Sequence, residues 1–356
     1  MAKMIDTRVL RIDFNLPLEE QLQPAAEIIK NGGLVAFPTE TVYGLGADGT
    51  NAEAAGKIYA AKGRPSDNPL IIHIAHPVDA EKYTVTCDTY YRIAEAFMPG
   101  PITVVLPARD TVPRATRGGL DTVAVRCPEN PVASTLIRLS GVPIAAPSAN
   151  RSGSPSPTTA NHVIDDMMGR VDMIVDGGDC DFGLESTIVS VGADSSVTLL
   201  RPGKITVDDI EALGISVSIA DAVKDRLKDG AVAISPGMKY RHYAPECEVI
   251  LLDGDANAAY EYIGSYVANN NIEKYAVISY SEYVEMYGTL RGDVHIYNFG
   301  EEADEIAQAH SLFDILRHVD KQDYSVVFAP LPRAEGIGLA LYNRMIRAAA
   351  HKIIKL

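Results

Sequence analysis

The chain has 356 residues, of which 47% are hydrophobic and 22% charged, so a sizeable core is available and a wholly disordered chain is excluded. This length favours two domains. The 32 Lys and Arg residues against 47 Asp and Glu residues give a formal charge of −15. That balance argues against nucleic-acid binding over a broad surface, but it does not exclude a local basic groove.

The sequence has no apolar run of membrane-spanning length, and its first residues lack the apolar stretch of a signal peptide. Its four cysteines form no CxxC pair, so neither a zinc site nor a disulfide framework is predicted. We therefore expect reduced cysteines and a cytoplasmic protein that does not associate with membranes.

Short apolar runs alternate with helical patterns over the first two-thirds of the chain. Leu18 to Lys30 predicts a helix, and Leu34 to Phe37 predicts a strand buried on both faces. Asn51 is expected to cap a second helix that ends at Gly63. Further strands are predicted at 70–74, 102–106, 122–126, 144–146, 173–175, 188–191 and 197–200. This order indicates an α/β domain with a large mixed sheet.

The last hundred or so residues alternate cleanly and predict a small Rossmann-like domain with a parallel sheet. Strands are expected at 249–252, 275–279, 294–297 and 325–328, and helices at 257–267, 303–317 and 337–350. No glycine-rich fingerprint follows the first of these strands, so nucleotide binding by this domain is not supported. Ahead of it, residues 235–245 place Tyr, Arg and His side chains between two prolines, which is unusual for a simple tether.

Two segments of the first domain place polar side chains beside predicted strands. PTETVYGLG, at 38–46, follows a buried strand with hydroxyls and a carboxylate, although its turn chemistry alone slightly favours an ordinary loop. KGRPSDNPL, at 62–70, fixes Lys62, Arg64 and Asn68 near two prolines, and such cations suit phosphate oxygens. A lysine at a helix C-terminus also suits the helix dipole, and His73 on the next strand is more typical of a hydrogen-bonded core histidine.

Two further segments carry comparable groups. Thr122 and Arg126 share one face of a predicted strand, and an arginine facing a sheet interior needs an anionic partner. That partner is either a protein carboxylate or the carboxylate of a ligand. Ser148 and Asn150 lie in a loop that leads to Ser156 and Pro157, which resemble a helix N-cap and the first helical residue. A helix start there would offer an anion site.

Each segment taken alone fits a structural role. Together they supply cations and hydroxyls without a nucleophile–base pair, a metal cluster or a carboxylate dyad. That combination is typical of a site that binds a nucleotide and aligns two reactants. The residues themselves therefore indicate a nucleotide-dependent transferase.

The motifs, in this order, resemble those of the threonylcarbamoyl-AMP synthase family. The shared motifs are PTETVYGLG, KGRPSDNPL, PGPITVVL, AVRCP, PSAN, ESTIV and LRPG. SPGMKYRHYAP, at 235–245, is similar to the linker of the two-domain members, and ALYNRM, at 340–345, to their C-terminal signature. The resemblance covers the whole chain and implies a catalytic domain at 1–213, an ordered linker at 214–246 and a Rossmann-like domain at 247–356.

Membership would imply that the chain joins L-threonine, bicarbonate or CO2, and ATP to give L-threonylcarbamoyl-adenylate and pyrophosphate. A separate complex would then transfer the threonylcarbamoyl group to tRNA, and direct tRNA binding by this chain is left open. The implied cofactor is Mg²⁺, held by the ATP phosphates and water rather than by protein ligands.

The same resemblance assigns roles to individual residues. Threonine would be bound by Thr41, His73, Arg126, Ser186 and the backbone of Ala146. ATP would be bound by Lys62, Arg64, Asn68, Thr122, Ser148, Asn150, Ser156 and Arg201. Lys62 and Arg64 would also be catalytic, because they would stabilise charge on the phosphates. Tyr243, with His242, would reach from the linker over the nucleotide, with Tyr240 as an alternative to Tyr243.

Three other functions remain open at this level. A double-stranded RNA or tRNA binding module could use the basic residues of the first domain in one concavity, against the chain's negative charge. A related carbamoyltransferase would need zinc-binding and acylphosphatase-like parts that this sequence lacks. A regulatory C-terminal domain would need a ligand that its sequence does not identify.

Overall fold

The computed structural model describes residues 5–225 and 243–356, which fall into two compact units. The first unit comprises 5–152 with 156–225, and the second comprises 153–155 with 243–356. The first is built on an eleven-stranded mixed sheet and the second on a five-stranded parallel sheet. The predicted fold class is therefore confirmed. Most of the expected linker, 226–242, lies outside the described residues, and the domain bounds given above stay a prediction.

The first unit has eleven strands among its described residues, in the sheet order β1-β8-β2-β3-β7-β4-β6-β5-β9-β10-β11. The strands are β1 Arg8–Arg11, β2 Val35–Phe37, β3 Gly44–Asp48, β4 Ile71–His73, β5 Ile102–Pro107, β6 Thr122–Arg126, β7 Ile144–Ala145, β8 Met173–Asp176, β9 Thr187–Val191, β10 Val197–Arg201 and β11 Val217–Ile219. The helices are α1 Leu18–Lys30, α2 Ala52–Lys62, α3 Asp88–Phe97, α4 Pro131–Ser140, α5 Ala160–Met167 and α6 Val207–Glu211.

Both ends of α2 lie at the cap residues predicted from the sequence. Asn51 Oδ1 accepts from the amides of Glu53 and Ala54 at 2.9 and 3.2 Å, and Gly63 ends the helix with φ at 64°. Both predicted ends are confirmed, because an Asx cap satisfies free N–H groups and glycine tolerates positive φ. This end of α2 fixes where Lys62 stands.

The start of α5 differs from the prediction. Its N-cap is Thr159, whose hydroxyl accepts from the amide of His162 at 3.3 Å, so the helix starts at Ala160. Ser156 is not a cap, because its hydroxyl donates to Glu185 Oε1 at 2.6 Å instead. The predicted helix start at Ser156 and Pro157 is therefore wrong, and binding of an anion near this segment stays a prediction.

The segment 38–46 is partly strand. Residues Gly44–Asp48 form β3, which pairs antiparallel with both β2 and β7. The glycines allow close packing here, since a Cβ at Gly46 would stand 2.6 Å from Phe37 Cε1 and 2.7 Å from Ile144 Cγ2. Residues 38–43 remain a buried loop between β2 and β3. β1, β11, α3 and α4 were not predicted from the sequence either.

The second unit alternates strands and helices as predicted. Its strands run in the order β14-β13-β15-β12-β16, and the last of them was not predicted. The strands are β12 Glu248–Asp253, β13 Lys274–Ser279, β14 Asp293–Asn298, β15 Val326–Pro330 and β16 Ile353–Lys355. The helices are α7 Ala256–Asn269, α8 Val284–Tyr287, α9 Glu305–Asp320 and α10 Gly338–Ala348. α7 packs on the sheet through Ile263 and neighbouring buried residues.

Candidate active site

The register of β4, β5 and β6 brings three polar side chains together, two of which were predicted as site residues. His73 of β4 is paired with Arg126 of β6, and Arg126 is paired with Thr103 of β5. Residues directly opposite on paired strands share a face of the sheet and lie about 5 Å apart. The three side chains therefore form a polar row across the sheet, and all three are buried.

Arg126 has a protein partner. Its Nη2 lies 2.6 Å from Glu40 Oε1, and both side chains are buried. Burial alone would raise the pKa of Glu40, but the charge of Arg126 and its hydrogen bond hold that pKa below its usual value. Among the described residues, Arg126 Nε has no hydrogen-bond partner. The Nη2 group of the guanidinium is thus bound to Glu40, and the Nε group remains as a donor for a ligand.

His73 is neutral. Burial, and after it the positive charge of Arg126, lowers the pKa of His73 to about 3. Its Nδ1 lies 3.2 Å from the carbonyl oxygen of Ile144. Because a carbonyl can only accept, Nδ1 carries the hydrogen and Nε2 keeps a lone pair. His73 can therefore accept a hydrogen bond, but it is a poor proton acceptor.

Hydroxyl groups cluster at the same edge. Thr41 is fully buried, and its hydroxyl lies 2.8 Å from that of Thr39. The Ser186 hydroxyl lies 2.8 Å from that of Thr103. Arg201 donates to Ser186 twice, from Nε to the carbonyl at 3.0 Å and from Nη2 to the hydroxyl at 3.1 Å. The structure thus holds Arg201 against a predicted threonine-pocket residue.

Ala146 links this edge to the loop that follows β7. Its N–H donates to the carbonyl of Ile71 at 2.9 Å, so the backbone group it can offer a ligand is its carbonyl. Because β7 runs antiparallel to β4, residues after Ala146 return toward the start of β4. The 148–150 loop is thereby brought to the C-terminus of α2.

A second group of side chains lies at that opposite end. The buried Lys62 Nζ donates to the carbonyls of Ser148 and Asn150, each at 2.5 Å. The hydroxyl of Ser148 in turn donates to Asn150 Oδ1 at 2.5 Å. A single ammonium group therefore orders the loop that carries two predicted ATP ligands.

Arg64 and Asn68 complete this end. Arg64 is buried and donates to the carbonyls of Asn68 and Pro69 at 3.4 and 3.1 Å. Asn68 is also buried, and its Oδ1 has no hydrogen-bond partner within the described part of the chain. An unsatisfied buried carbonyl oxygen is costly, so this atom fits a bound water or another donor.

The two groups stand at opposite ends of the same strands. Thr122 begins β6 and Arg126 ends it, so four residue steps, about 13 Å, separate them. Thr122 is half-buried, and no hydrogen bond of its side chain is found in the described residues. One end thus presents a neutral histidine, hydroxyls and an Arg–Glu pair, and the other presents buried cations. Two reactants could lie end to end along β4 and β6.

Some predicted residues lie elsewhere. His242 and Tyr240 are outside the described residues. Tyr243 belongs to the second unit, where it is buried and its ring stacks on Phe313 with centroids 5.0 Å apart. Which tyrosine serves the nucleotide stays a prediction.

Sequence reasoning missed the partners of the predicted residues. Glu40 pairs with Arg126, Glu185 accepts from Ser156, and Thr103 lies against Ser186. Glu40 and Glu185 belong to the quoted PTETVYGLG and ESTIV motifs, which gave a signal but not the pairing.

The described residues contain neither a metal cage nor a helix fit to span a membrane. Within 5–225 and 243–356, no three His, Cys, Asp or Glu side chains come together as a metal cage. None of the helices in these ranges has the length and apolar character needed to cross a bilayer.

Comparison with known proteins supports the resemblance. The family model Sua5_yciO_yrdC, described as telomere recombination, matches residues 27–203. The model described as threonylcarbamoyl-AMP synthase, C-terminal domain, matches residues 205–350. The chain is 43% identical to the threonylcarbamoyl-AMP synthase of Pyrococcus abyssi, over 95% of this chain and 96% of that one. It is 41% identical to that of Bacillus subtilis, over 95% of each.

The fold comparison agrees. A crystal structure of P. abyssi Sua5 complexed with L-threonine matches 98% of this chain and 99% of its own, with a TM-score of 0.88 and 40% identity. A double-alanine variant of P. abyssi Sua5 matches 98% of each chain with a TM-score of 0.90 and 40% identity. The chain therefore belongs to the threonylcarbamoyl-AMP synthase family, which confirms at family level the transferase function expected from its sequence.

Proposed function

We propose that the chain forms L-threonylcarbamoyl-adenylate and pyrophosphate from L-threonine, bicarbonate or CO2, and ATP. The observation that carries this proposal is the placement of two chemically different groups at opposite ends of β4 and β6. The His73–Arg126 end suits an amino acid, and the Lys62–Arg64 end suits phosphates. The relatives named above, one of which was crystallised with L-threonine, support the proposed activity.

At the first end, the threonine carboxylate binds the guanidinium of Arg126 through Nε, which has no partner of its own among the described residues. The neutral His73 accepts a hydrogen bond from the amine. Thr41, Ser186 and the carbonyl of Ala146 complete the pocket. Because the pocket is buried, each of these hydrogen bonds acts in a medium of low dielectric.

At the second end, Lys62 and Arg64 stabilise negative charge on the triphosphate, with Asn68 beside them. Thr122, Ser148 and Asn150 line the nucleotide site at this end. Ser156 and Arg201, which contact Glu185 and Ser186, would reach the nucleotide from the side of the threonine pocket. Mg²⁺ enters with ATP, held mainly by phosphates and water, because this ion dehydrates reluctantly. The buried Asn68 Oδ1 fits a water of such a hydrated ion.

The reaction needs no covalent enzyme intermediate. The threonine amine attacks CO2 to form an N–C bond and loses one proton, which gives a carbamate. With bicarbonate as the source, hydroxide also leaves that carbon. A carbamate oxygen then attacks the α-phosphorus of ATP, and the bond to the bridging oxygen breaks as pyrophosphate leaves. Alignment along the strands and charge stabilisation at Lys62 and Arg64 supply the catalysis.

The linker is proposed to close over the nucleotide and exclude water from the labile carbamate. His242 and Tyr243 form the only His–Tyr dipeptide in this sequence. The variant structure of P. abyssi Sua5 carries alanines in place of a histidine and the tyrosine that follows it. In the cytoplasm, a separate complex would then transfer the threonylcarbamoyl group to tRNA.

Pyrophosphate release tests the proposal. With ATP and Mg²⁺ present, release should require both L-threonine and bicarbonate. L-Serine should be a much poorer substrate, because it lacks the methyl group. Release that is indifferent to threonine would mean that the site hydrolyses or binds a nucleotide for another purpose.

A further inference from the structure

The second unit contains a cavity that the proposed reaction does not use. It lies at the carboxyl ends of β12, β13 and β15 and has a volume of about 130 Å³. That volume is small beside most ligand pockets, so the cavity fits only a compact ligand. Residues at its floor include Leu252, Val277 and Phe328, one from each strand.

Its position follows from the sheet topology. In the order β14-β13-β15-β12-β16, the chain crosses from β12 to β13 in one direction and from β14 to β15 in the other. Right-handed crossovers place the connecting helices α7 and α9 on opposite faces of the sheet. Open α/β sheets bind ligands at the carboxyl ends of strands where such connections diverge. The cavity occupies that place.

The rim of the cavity is aromatic. Tyr280, Tyr283 and Tyr287 all line it. Tyr287 donates to the carbonyl of Ala256 at 3.3 Å and Tyr283 to Glu302 Oε2 at 3.1 Å. Within the described chain, the Tyr280 hydroxyl makes no hydrogen bond, and its ring stacks on Phe299. The rim thus combines fixed aromatic faces with a hydroxyl that a ligand can use.

The charges of the lining residues indicate which class of ligand the cavity binds. The ionisable side chains in the lining, apart from the tyrosines, are Asp255 and Glu302, and the described lining residues include no Lys, Arg or His. Asp255 accepts from the amides of Asn257 and Ala258, each at 2.9 Å, so it already offsets the positive end of α7. Arg333 lines an adjoining groove, where Glu302 and Glu305 outnumber it. A phosphate or carboxylate would meet two negative charges here.

We propose that this cavity binds a small organic cation. Its ammonium group would lie among the tyrosines, Asp255 and Glu302, and its aromatic or aliphatic body would rest on the apolar floor. Aromatic faces attract cations, and two carboxylates strengthen that preference. The second unit would then have a ligand of its own, distinct from the reactants of the synthase.

Three probes of nearly equal size test the charge preference. 2-Phenylethylammonium, 2-phenylethanol and 3-phenylpropionate are titrated into the full chain by saturation-transfer NMR, with saturating L-threonine to fill the amino-acid pocket. The cation should bind with millimolar affinity, the neutral probe about tenfold more weakly, and the anion not detectably. Equal binding of the cation and the neutral probe, preferred binding of the anion, or no binding of any probe would overturn the proposal.

Paired variants locate the site. Asp255→Asn keeps a good helix cap, and Glu302→Gln keeps an acceptor for Tyr283, so the double variant loses charge with little change in structure. It should weaken binding of the cation about tenfold. Glu285→Gln removes an exposed carboxylate of α8 outside the lining and should leave binding unchanged. Equal weakening by both variants would indicate general charge attraction and refute a site.

Ala256→Phe gives an independent test, because Ala256 lines the cavity from the half-buried start of α7. The larger ring should fill the space and abolish binding of the cation. Pyrophosphate release with threonine should persist, since it reports on the first unit. Unchanged affinity in a folded Ala256→Phe protein would place the bound cation elsewhere and overturn the proposal.

Discussion

The ammonium group of Lys62 is a single buried charge on which two functions of the site depend. It orders the 148–150 loop, and it stands where we place the triphosphate. Lys62→Ala and Arg64→Ala should each lower kcat/KM for ATP about 100-fold, because a preorganised charge is lost. The rate of pyrophosphate release at several ATP concentrations measures this fall in kcat/KM.

Lys57→Ala is the matched control for Lys62→Ala. Lys57 lies on the same helix, is exposed, and donates to the carbonyl of Gly32 at 2.7 Å. The Lys57→Ala variant should retain normal turnover. Near-normal turnover in both the Lys62 and Arg64 variants would refute their catalytic role.

Glu40 gives a prediction about pH. Its folded-state pKa lies below the ordinary value of 4.5, so its stabilising contribution is complete above pH 4.5 and is lost as the pH falls through the folded pKa. Glu40→Gln should cost about 3 kcal/mol at pH 7, because it leaves Arg126 buried without its counter-charge. Urea unfolding should show a smaller difference from the wild type at pH 3 than at pH 7. A difference that grows toward acid would contradict this account.

At this scale the sequence predicted side chains but not their partners. It indicated that Arg126 needs an anion, and it left a protein carboxylate and a ligand carboxylate as alternatives. Glu40 is 86 positions away, and only the register of β4 and β6 with the loop after β2 brings it to Arg126. Local spacing carries no information about contacts at that separation.

Among the elements, β3 depends on a glycine for close packing. Gly46→Ala should lower the free energy of unfolding by about 1–3 kcal/mol, because the new methyl group would meet Phe37 and Ile144 below contact distance. Gly56→Ala is the control, for which we expect a higher free energy of unfolding. Gly56 lies within α2 with open space around it, so alanine should stabilise the helix by about 0.5–1 kcal/mol. Equal effects in urea unfolding would contradict the packing argument.

The start of α5 gives a second test of this kind. Thr159→Ala removes the observed cap and should cost about 1 kcal/mol in unfolding free energy. Ser156→Ala leaves that cap intact and removes a donor to Glu185, so it should raise KM for ATP more than it lowers stability. A larger loss of stability in Ser156→Ala than in Thr159→Ala would indicate that Ser156 caps the helix.

Elements with a strong local signal were predicted well. α1 has the predicted bounds, and α2 has the predicted cap and stop. Ser156 followed by proline gave a cap signal that tertiary contacts overrode, because Glu185 takes its hydroxyl. β3 was missed since its glycines signal a turn, whereas here they allow a strand to pack closely between two others.

For the whole molecule, charge bears on the RNA-binding alternative. Residues 236–356 carry 11 basic and 17 acidic residues of the totals of 32 and 47, which leaves 21 and 30 in residues 1–235. Both portions are acidic, and buried cations such as Lys62 and Arg64 already bind backbone carbonyls. Filter binding should therefore detect little tRNA at physiological salt, and tRNA should not stimulate pyrophosphate release. Tight, salt-dependent binding without turnover would favour the RNA-binding module.

The ion pair of Arg126 also sets how the proposed pocket captures its amino acid. The guanidinium already holds the carboxylate of Glu40, so an arriving threonine meets an ion pair instead of a bare cation. The pair has no net charge, and the long-range attraction between it and threonine is therefore small. Affinity for threonine should then vary only weakly with ionic strength, while affinity for ATP at the other end should fall steeply as salt is added.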